Sequence, residues 1–150
     1  MERSLIIIKP DGIQRGLIGD ILHRFERKSL KVVGLKMIRL DEALLQEHYA
    51  HVVDQPFFAE MAEFMSSSPV VIIVIEGYKA VEIVRTVAGI KSTDMGSIRG
   101  DFALSGQRNI VHSSDSPESA KKEIARFFKS EELFEYDKDE WVHTLAEKER

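Results

Sequence analysis

Two short runs limit what this chain can fold into: Leu5-Ile6-Ile7-Ile8 and Val70-Val71-Ile72-Ile73-Val74-Ile75 are apolar at every position. Both are far too short to span a bilayer. Lys9-Pro10-Asp11 closes the first as a turn, and Gly77 follows the second. Continuous, mostly β-branched runs bounded in this way read as buried strands. Leu30 to Leu40 reads as a further strand and Asn109 to His112 as a short fourth one. Between them lie segments with helical spacing. Ile13 to Lys28 carries Ile18, Ile21, Leu22 and Phe25. Asp41 is placed as the N-cap of a helix bearing Leu44, Leu45, His48 and Tyr49. Pro56 opens Phe57 to Met65, and Tyr78 to Ala88 follows Gly77. Ser114-Asp115-Ser116-Pro117-Glu118 starts a last helix running to about Lys129, with a polar cap and proline at the first helical position. Gly89 to Gln107 has no clear period, and long irregular loops inside compact domains are more often functional than idle.

The order β-α-β-(α-α)-β-α-β-α contains a βαββαβ core. It predicts an α/β chain of the ferredoxin-like kind, with a four-stranded antiparallel sheet covered by helices. A doubly wound parallel sheet would want more strands. One domain over residues 1–150 is expected. The acidic segment from about 130 onward, around Trp141, is expected to drape over a neighbouring surface, its own or another subunit's.

Composition narrows the function classes. The chain has 150 residues, 43% of them hydrophobic, which is too apolar for disorder. Its 21 basic and 25 acidic residues give a net charge of −4, so nucleic acid is not gripped by overall charge. Cysteine is absent, which removes disulfides, thiol catalysis and thiolate metal sites. The N-terminus does not read as a signal peptide, and a cytoplasmic location is expected.

Certain residues are not explained by propensity. Glu123 falls on the apolar face of the last helix, with Ala120, Ile124 and Phe127. A carboxylate there needs a partner, and His112 ends the strand just before. Such a carboxylate would orient an imidazole and support positive charge on it. From these residues alone the plainer reading is favoured, that Glu123 rides the edge of the face into solvent. Lys9, Arg85, Arg99 and Arg108 come from strand ends, helix and loop toward what could be one region. Converging cations in an acidic chain point to an anion such as phosphate, against the ordinary alternative of surface ion pairs. No glycine-rich phosphate loop, dinucleotide fingerprint, zinc-protease helix or serine elbow is present. His48 and His51 read as helix-surface histidines, with no third ligand to make a metal site.

Asn109-Ile110-Val111-His112-Ser113-Ser114-Asp115 resembles the signature of the nucleoside diphosphate kinases, Asn-x-x-His-x-Ser-Asp. The likeness extends along nearly the whole chain. It takes in Ile8-Lys9-Pro10-Asp11-Gly12, Arg15-Gly16-Leu17-Ile18-Gly19, Arg24-Phe25-Glu26, His48-Tyr49, Pro56-Phe57-Phe58, Ser68-Pro69-Val70-Val71 and Ile98-Arg99-Gly100-Asp101-Phe102. The resemblance implies transfer of a γ-phosphate from a nucleoside triphosphate, typically ATP, to a diphosphate through a phosphohistidine on His112, with broad base specificity. It implies phosphate contacts at Lys9, Arg85 and Arg99 and a ribose contact at Asn109. The base would stack on Phe57 beside Met61. Tyr49 matches a residue near the histidine. Glu123 matches the carboxylate orienting it, assisted by Ser114, which reverses the plainer reading above. Mg²⁺ would arrive on the nucleotide phosphates. A homo-oligomer is implied, hexamer favoured over tetramer. The stretch from Gly89 to Ile98 is shorter than the family's, which leaves Thr93, with Ser92 or Lys91 as alternatives, opposite its phosphate-binding threonine. Two other classes compete: a nucleotide-binding scaffold without turnover, which has no need of the full set of matched residues, and an RNA-stacking sheet, which lacks its strand motif and a basic surplus.

Overall fold

The computed structural model describes residues 1–150. Its centre is a four-stranded antiparallel sheet in the order β2-β3-β1-β4, from β1 (Glu2–Ile8), β2 (Lys31–Ile38), β3 (Val70–Gly77) and β4 (Val111–Ser113). The two fully apolar runs are its central strands, paired from Ile8↔Val71 back to Glu2↔Gly77.

Both faces of the sheet are buried, which explains why those runs do not alternate with polar residues. Ile6, Ile8, Val71, Ile73 and Ile75 join one core with Ile21 and Phe25 of α2 (Ile18–Glu26) and Val84 and Ala88 of α5 (Ala80–Ala88). Leu5, Ile7, Val70, Ile72 and Val74 join the other. That second core includes Leu45 of α3 (Glu42–His48), Met65 of α4 (Phe58–Ser66) and Phe127 of α7 (Pro117–Phe127). Caps fall where the side chains predict them. Asp41 accepts from the Leu44 N–H and Ser116 from the Ser119 N–H, with Pro117 at the first helical position.

Four departures from the sequence expectation have local causes. The segment from Ile13 onward is not one helix: α1 (Pro10–Gln14) and α2 are separated by a turn at Gly16, whose φ is +68°. Helix α5 begins at Ala80, because β3 continues to Gly77 and Lys79 is left-handed, with φ +46°. The stretch Gly89–Gln107 contains a short helix, α6 (Ile98–Phe102), capped by Ser97 accepting from the Gly100 N–H. Strand β4 starts at Val111 and not at Asn109, because Ile110 is left-handed with φ +73°.

The C-terminal segment packs on the chain's own sheet. The Phe134 N–H donates to the Val33 carbonyl at 2.8 Å, and the Tyr136 hydroxyl to that of Val32 at 2.7 Å. The Trp141 Nε1–H donates to the Ser29 carbonyl before α8 (Trp141–Thr144). Buried Lys31 pairs with Glu76 at 2.6 Å, donates to the Tyr136 carbonyl, and lies against the Tyr136 and Trp141 rings. No helix is long and apolar enough to cross a membrane.

Gly89 ends α5 in the left-handed region, φ +79°, and a Cβ there would lie 2.1 Å from the Ser97 Oγ. Gly89→Ala is therefore expected to lower the unfolding free energy by more than about 2 kcal/mol. Urea denaturation followed by circular dichroism checks this; a midpoint unchanged from wild type would contradict it.

Candidate active site

His112 is the middle residue of β4, paired opposite Ile7 of β1, and its side chain is 24% exposed. Its Nε2 lies 3.0 Å from the Oε1 of Glu123. Helix α7 follows β4 after a tight connection, and its second turn brings Glu123 back over the strand. The other oxygen of Glu123 accepts from the Ser114 hydroxyl at 2.6 Å. Ser114 is fully buried, and its Oγ also accepts from the Leu5 N–H, so the carboxylate is tied through it to the central sheet. Burial alone would raise the Glu123 pKa. Donation from His112 and Ser114 and the charge of His112 more than offset it, and Glu123 is held below the usual carboxylate range. A carboxylate can only accept, so His112 carries its proton on Nε2 and keeps the Nδ1 lone pair free.

Two cavities meet at this imidazole. One, of about 390 Å³, is lined by Lys9, Tyr49, Phe57, Met61, Asn109 and His112, with Glu60, Phe64, Gln107 and Arg108 also on its wall. The other, of about 530 Å³, is lined by Tyr49, Arg85, Arg99, His112 and Glu123 among others. The cations gather on either side of one ring. Lys9 Nζ donates to the Asn109 Oδ1 at 2.6 Å, which fixes both at the end of β1. Burial, then the nearby Arg99, pull Lys9 down to about 8, with Asp11 opposing. Arg99 donates to three carbonyls, of Gly89 (2.8 Å), Val111 (2.6 Å) and Asn109 (3.4 Å). Arg85 has no hydrogen-bond or ion-pair partner, so its whole guanidinium is available to an anion. Burial pushes the Tyr49 hydroxyl up to about 12, with Glu123 adding to it, and keeps it a neutral donor.

Thr93 stands apart from the residues around the imidazole. With Lys91, Ser92, Arg99 and Asn109 it lines a third cavity of about 310 Å³ that does not include His112. Phe57, just before α4, is 45% exposed, an aromatic face open to the first cavity. Arg108 lies over the Phe64 ring on the same wall.

The structure corrects one sequence reading. His48 is buried and not on a helix surface; its ring meets that of His112 edge-on, with centroids 4.9 Å apart, and packs against Phe127. Arg126 Nη1 donates to His48 Nδ1 at 3.0 Å and is paired with Glu47 through Nε. Burial, then the charge of His112, hold His48 well below the ordinary histidine range, so it is a neutral wall for the reacting ring. The spacing Leu44, Leu45, His48 already put it on the apolar side of α3. His48, His112 and Glu123 bring three ligand atoms within 4.8 Å. Arg126 occupies one nitrogen of His48 and puts the proton on the other, and Arg85 and Arg99 border the cluster. The donor set is therefore ill suited to a cation.

The family model for nucleoside diphosphate kinase matches residues 2–133. The nucleoside diphosphate kinase of Parabacteroides distasonis is 49% identical over 140 residues, covering 91% of this chain and 92% of that protein. The one from Pyrococcus horikoshii is 51% identical over 141 residues, covering 90% of each. Among solved structures, a nucleoside diphosphate kinase of Halobacterium salinarum in complex with CDP superposes with a TM-score of 0.92 at 42% identity. It covers 97% of this chain and 99% of that one.

Lys9 carries a cost that can be measured. A folded-state pKa of about 8 against 10.5 means that the folded protein loses this proton first. Between those values the unfolded state binds more protons, so stability rises with pH across that window. Lys9→Met is expected to be more stable than wild type at pH 7, on the order of 1–3 kcal/mol, with the gap closing toward pH 10. Urea unfolding of both proteins at the two pH values checks this. Calorimetric affinity for a nucleoside diphosphate is expected to fall in wild type above pH 8 and to be weak at every pH in the variant.

Proposed function

The chain belongs to the nucleoside diphosphate kinase family, and we propose that it moves the terminal phosphate of a nucleoside triphosphate to a nucleoside diphosphate by way of a phosphohistidine at His112. The observation that carries the residue assignment is the 3.0 Å contact of Nε2 with Glu123. It leaves Nδ1 as the nucleophile between two cavities that carry cations.

In this reading the base stacks on Phe57 beside Met61, and Lys9 and Asn109 meet the ribose and phosphates. Stacking on one exposed aromatic ring, with few groups at the base edge, suits broad base acceptance. Arg85 and Arg99 neutralise the terminal phosphate, with Thr93 reaching the phosphates from the loop before α6. The Nδ1 lone pair forms the N–P bond as the bond from phosphorus to the β–γ bridging oxygen breaks, and the diphosphate leaves. A second diphosphate enters the same cavity. A terminal oxygen of its phosphate attacks the phosphorus, the N–P bond breaks, and its electron pair returns to Nδ1. Glu123, held by Ser114, keeps the Nε2 proton throughout and stabilises the positive charge that grows on the ring. Little more than alignment and charge neutralisation is asked of the protein.

A divalent ion such as Mg²⁺, carried on the phosphate oxygens of the nucleotide, supplies further charge neutralisation. The residues around His112 fit that arrangement, since the site is cationic and Glu123 is already committed to two donors. A homo-oligomer, hexamer favoured over tetramer, belongs to the same proposal. Leu35 and Met37 stand exposed on edge strand β2, and Leu104 is 98% exposed in the loop after α6.

Incubation with γ-labelled ATP and Mg²⁺ is expected to put an acid-labile, base-stable label on the chain that GDP discharges. His112→Ala removes the label, and Glu123→Gln slows its formation on the order of 10²-fold. Undiminished labelling of the His112→Ala protein would falsify the assignment. Sedimentation velocity of the intact chain is expected to give the mass of six copies; a monomer at micromolar concentration contradicts the assembly.

A further inference from the structure

We propose that Asp11 is a positioning residue for Asn109 and His112, acting through the main chain of Ile110. The inference rests on the reading of His112 as the phosphate acceptor. Asp11 lines neither of the two cavities that meet at His112, whereas Asn109 and His112 do. Asp11 holds the backbone that presents those two residues.

Ile110 is β-branched, fully buried and left-handed, with φ +73°. An isoleucine in that region is strained and persists only where its surroundings over-determine it. Four features do so. The Oδ2 of Asp11 accepts the Ile110 N–H at 3.0 Å, and the Ile110 carbonyl accepts the Lys9 N–H at 2.8 Å. Gly12 supplies the space, since a Cβ there would come within 3.3 Å of both the Ile110 carbonyl oxygen and its Cγ2, and 2.8 Å from the Ile8 Cγ2. The Val111 N–H closes a tight turn by donating to the Asn109 carbonyl at 2.8 Å.

This turn stops β4 at Val111 and swings Asn109 off the strand, to the point where its Oδ1 meets Lys9 Nζ. Of the four, only Asp11 is a side chain reaching the strained residue's own N–H. Without it that buried donor is orphaned. The low-strain alternative for Ile110 is then extended chain, the continuous strand from Asn109 to His112 that the sequence by itself suggests. Asn109 would leave Lys9, and His112 would lose the register that sets it against Glu123.

The test compares Asp11→Ala with Asp11→Asn, whose amide oxygen still accepts. Three measurements are made: hydrogen exchange at the Ile110 amide against Val74 in β3 as an internal reference, the rate of His112 labelling at saturating γ-labelled ATP, and KM for the acceptor diphosphate. In the alanine variant the Ile110 amide is expected to lose about tenfold or more of its protection while Val74 keeps its own. Labelling is expected to slow about 10- to 100-fold, with KM raised. Asparagine restores both the protection and the rate to within about fivefold. If the alanine variant does not fold, Asp11→Ser, whose hydroxyl is too short to reach Ile110, is read in the same way. Unchanged protection overturns the proposal. So does a wild-type labelling rate in spite of lost protection, or an asparagine variant as slow as alanine. Wild type is run alongside. A label on a residue other than His112 there would mean that the reading of the site has failed, whereas a wild-type label on His112 matched in rate by the alanine variant sinks the role of Asp11 alone.

Discussion

The chemistry depends on a carboxylate that can only accept. Glu123 takes a proton-bearing nitrogen from His112 on one oxygen and the Ser114 hydroxyl on the other. With both oxygens engaged, the imidazole has one orientation and one tautomer. Ser114 is in turn bound to the main chain of Leu5, a fully buried residue of central strand β1. The imidazole is thus referenced to the rigid centre of the molecule through three hydrogen bonds and not to a surface loop. His48 closes the other side of the ring with a neutral edge, so no second charge competes for the proton.

The sheet makes this precision available because both its faces are covered. A strand buried on two sides has no solvent-facing register to slip into. Seven consecutive pairs between β1 and β3 fix the strand that carries Ser114's partner and, at its end, Lys9. Beside that frame the groups proposed to meet an anion come from separate segments: Lys9 from a strand end, Arg85 from α5, Arg99 from α6 and Asn109 from a strained turn. Burying and concentrating them costs something: burial first, and the neighbouring Arg99 second, depress the pKa of Lys9.

The strands were legible because unbroken β-branched runs have few other uses, and the caps at Asp41 and Ser116 because their chemistry is local. The breaks at Gly16 and Ile110 were not, since a backbone torsion leaves no trace in hydropathy. Helix α6 is five residues long, too short to display a period. His48 was misread for a related reason. Helix α3 has seven residues, and what buries the ring is Phe127 and Arg126, nearly eighty positions further along. From periodicity alone Glu123 was an anomaly, a carboxylate on an apolar face with His112 as one candidate partner; the family resemblance favoured that pairing, and the structure sets the two 3.0 Å apart. The convergence of the cations could be suspected from sequence, but a long-range meeting of strand end, helix and loop is a property of topology.

Arg99 lines the cavity beside His112 while its N–H groups fasten the carbonyls of Gly89, Asn109 and Val111. Those carbonyls belong to the end of α5, the strained turn and β4. A lysine has a single ammonium and cannot span three such points. The residue proposed to meet the phosphate is thus also the lacing that draws three segments together. Loosening it would let the walls of the site drift apart before any ligand arrived, so affinity and architecture at this spot cannot be tuned independently.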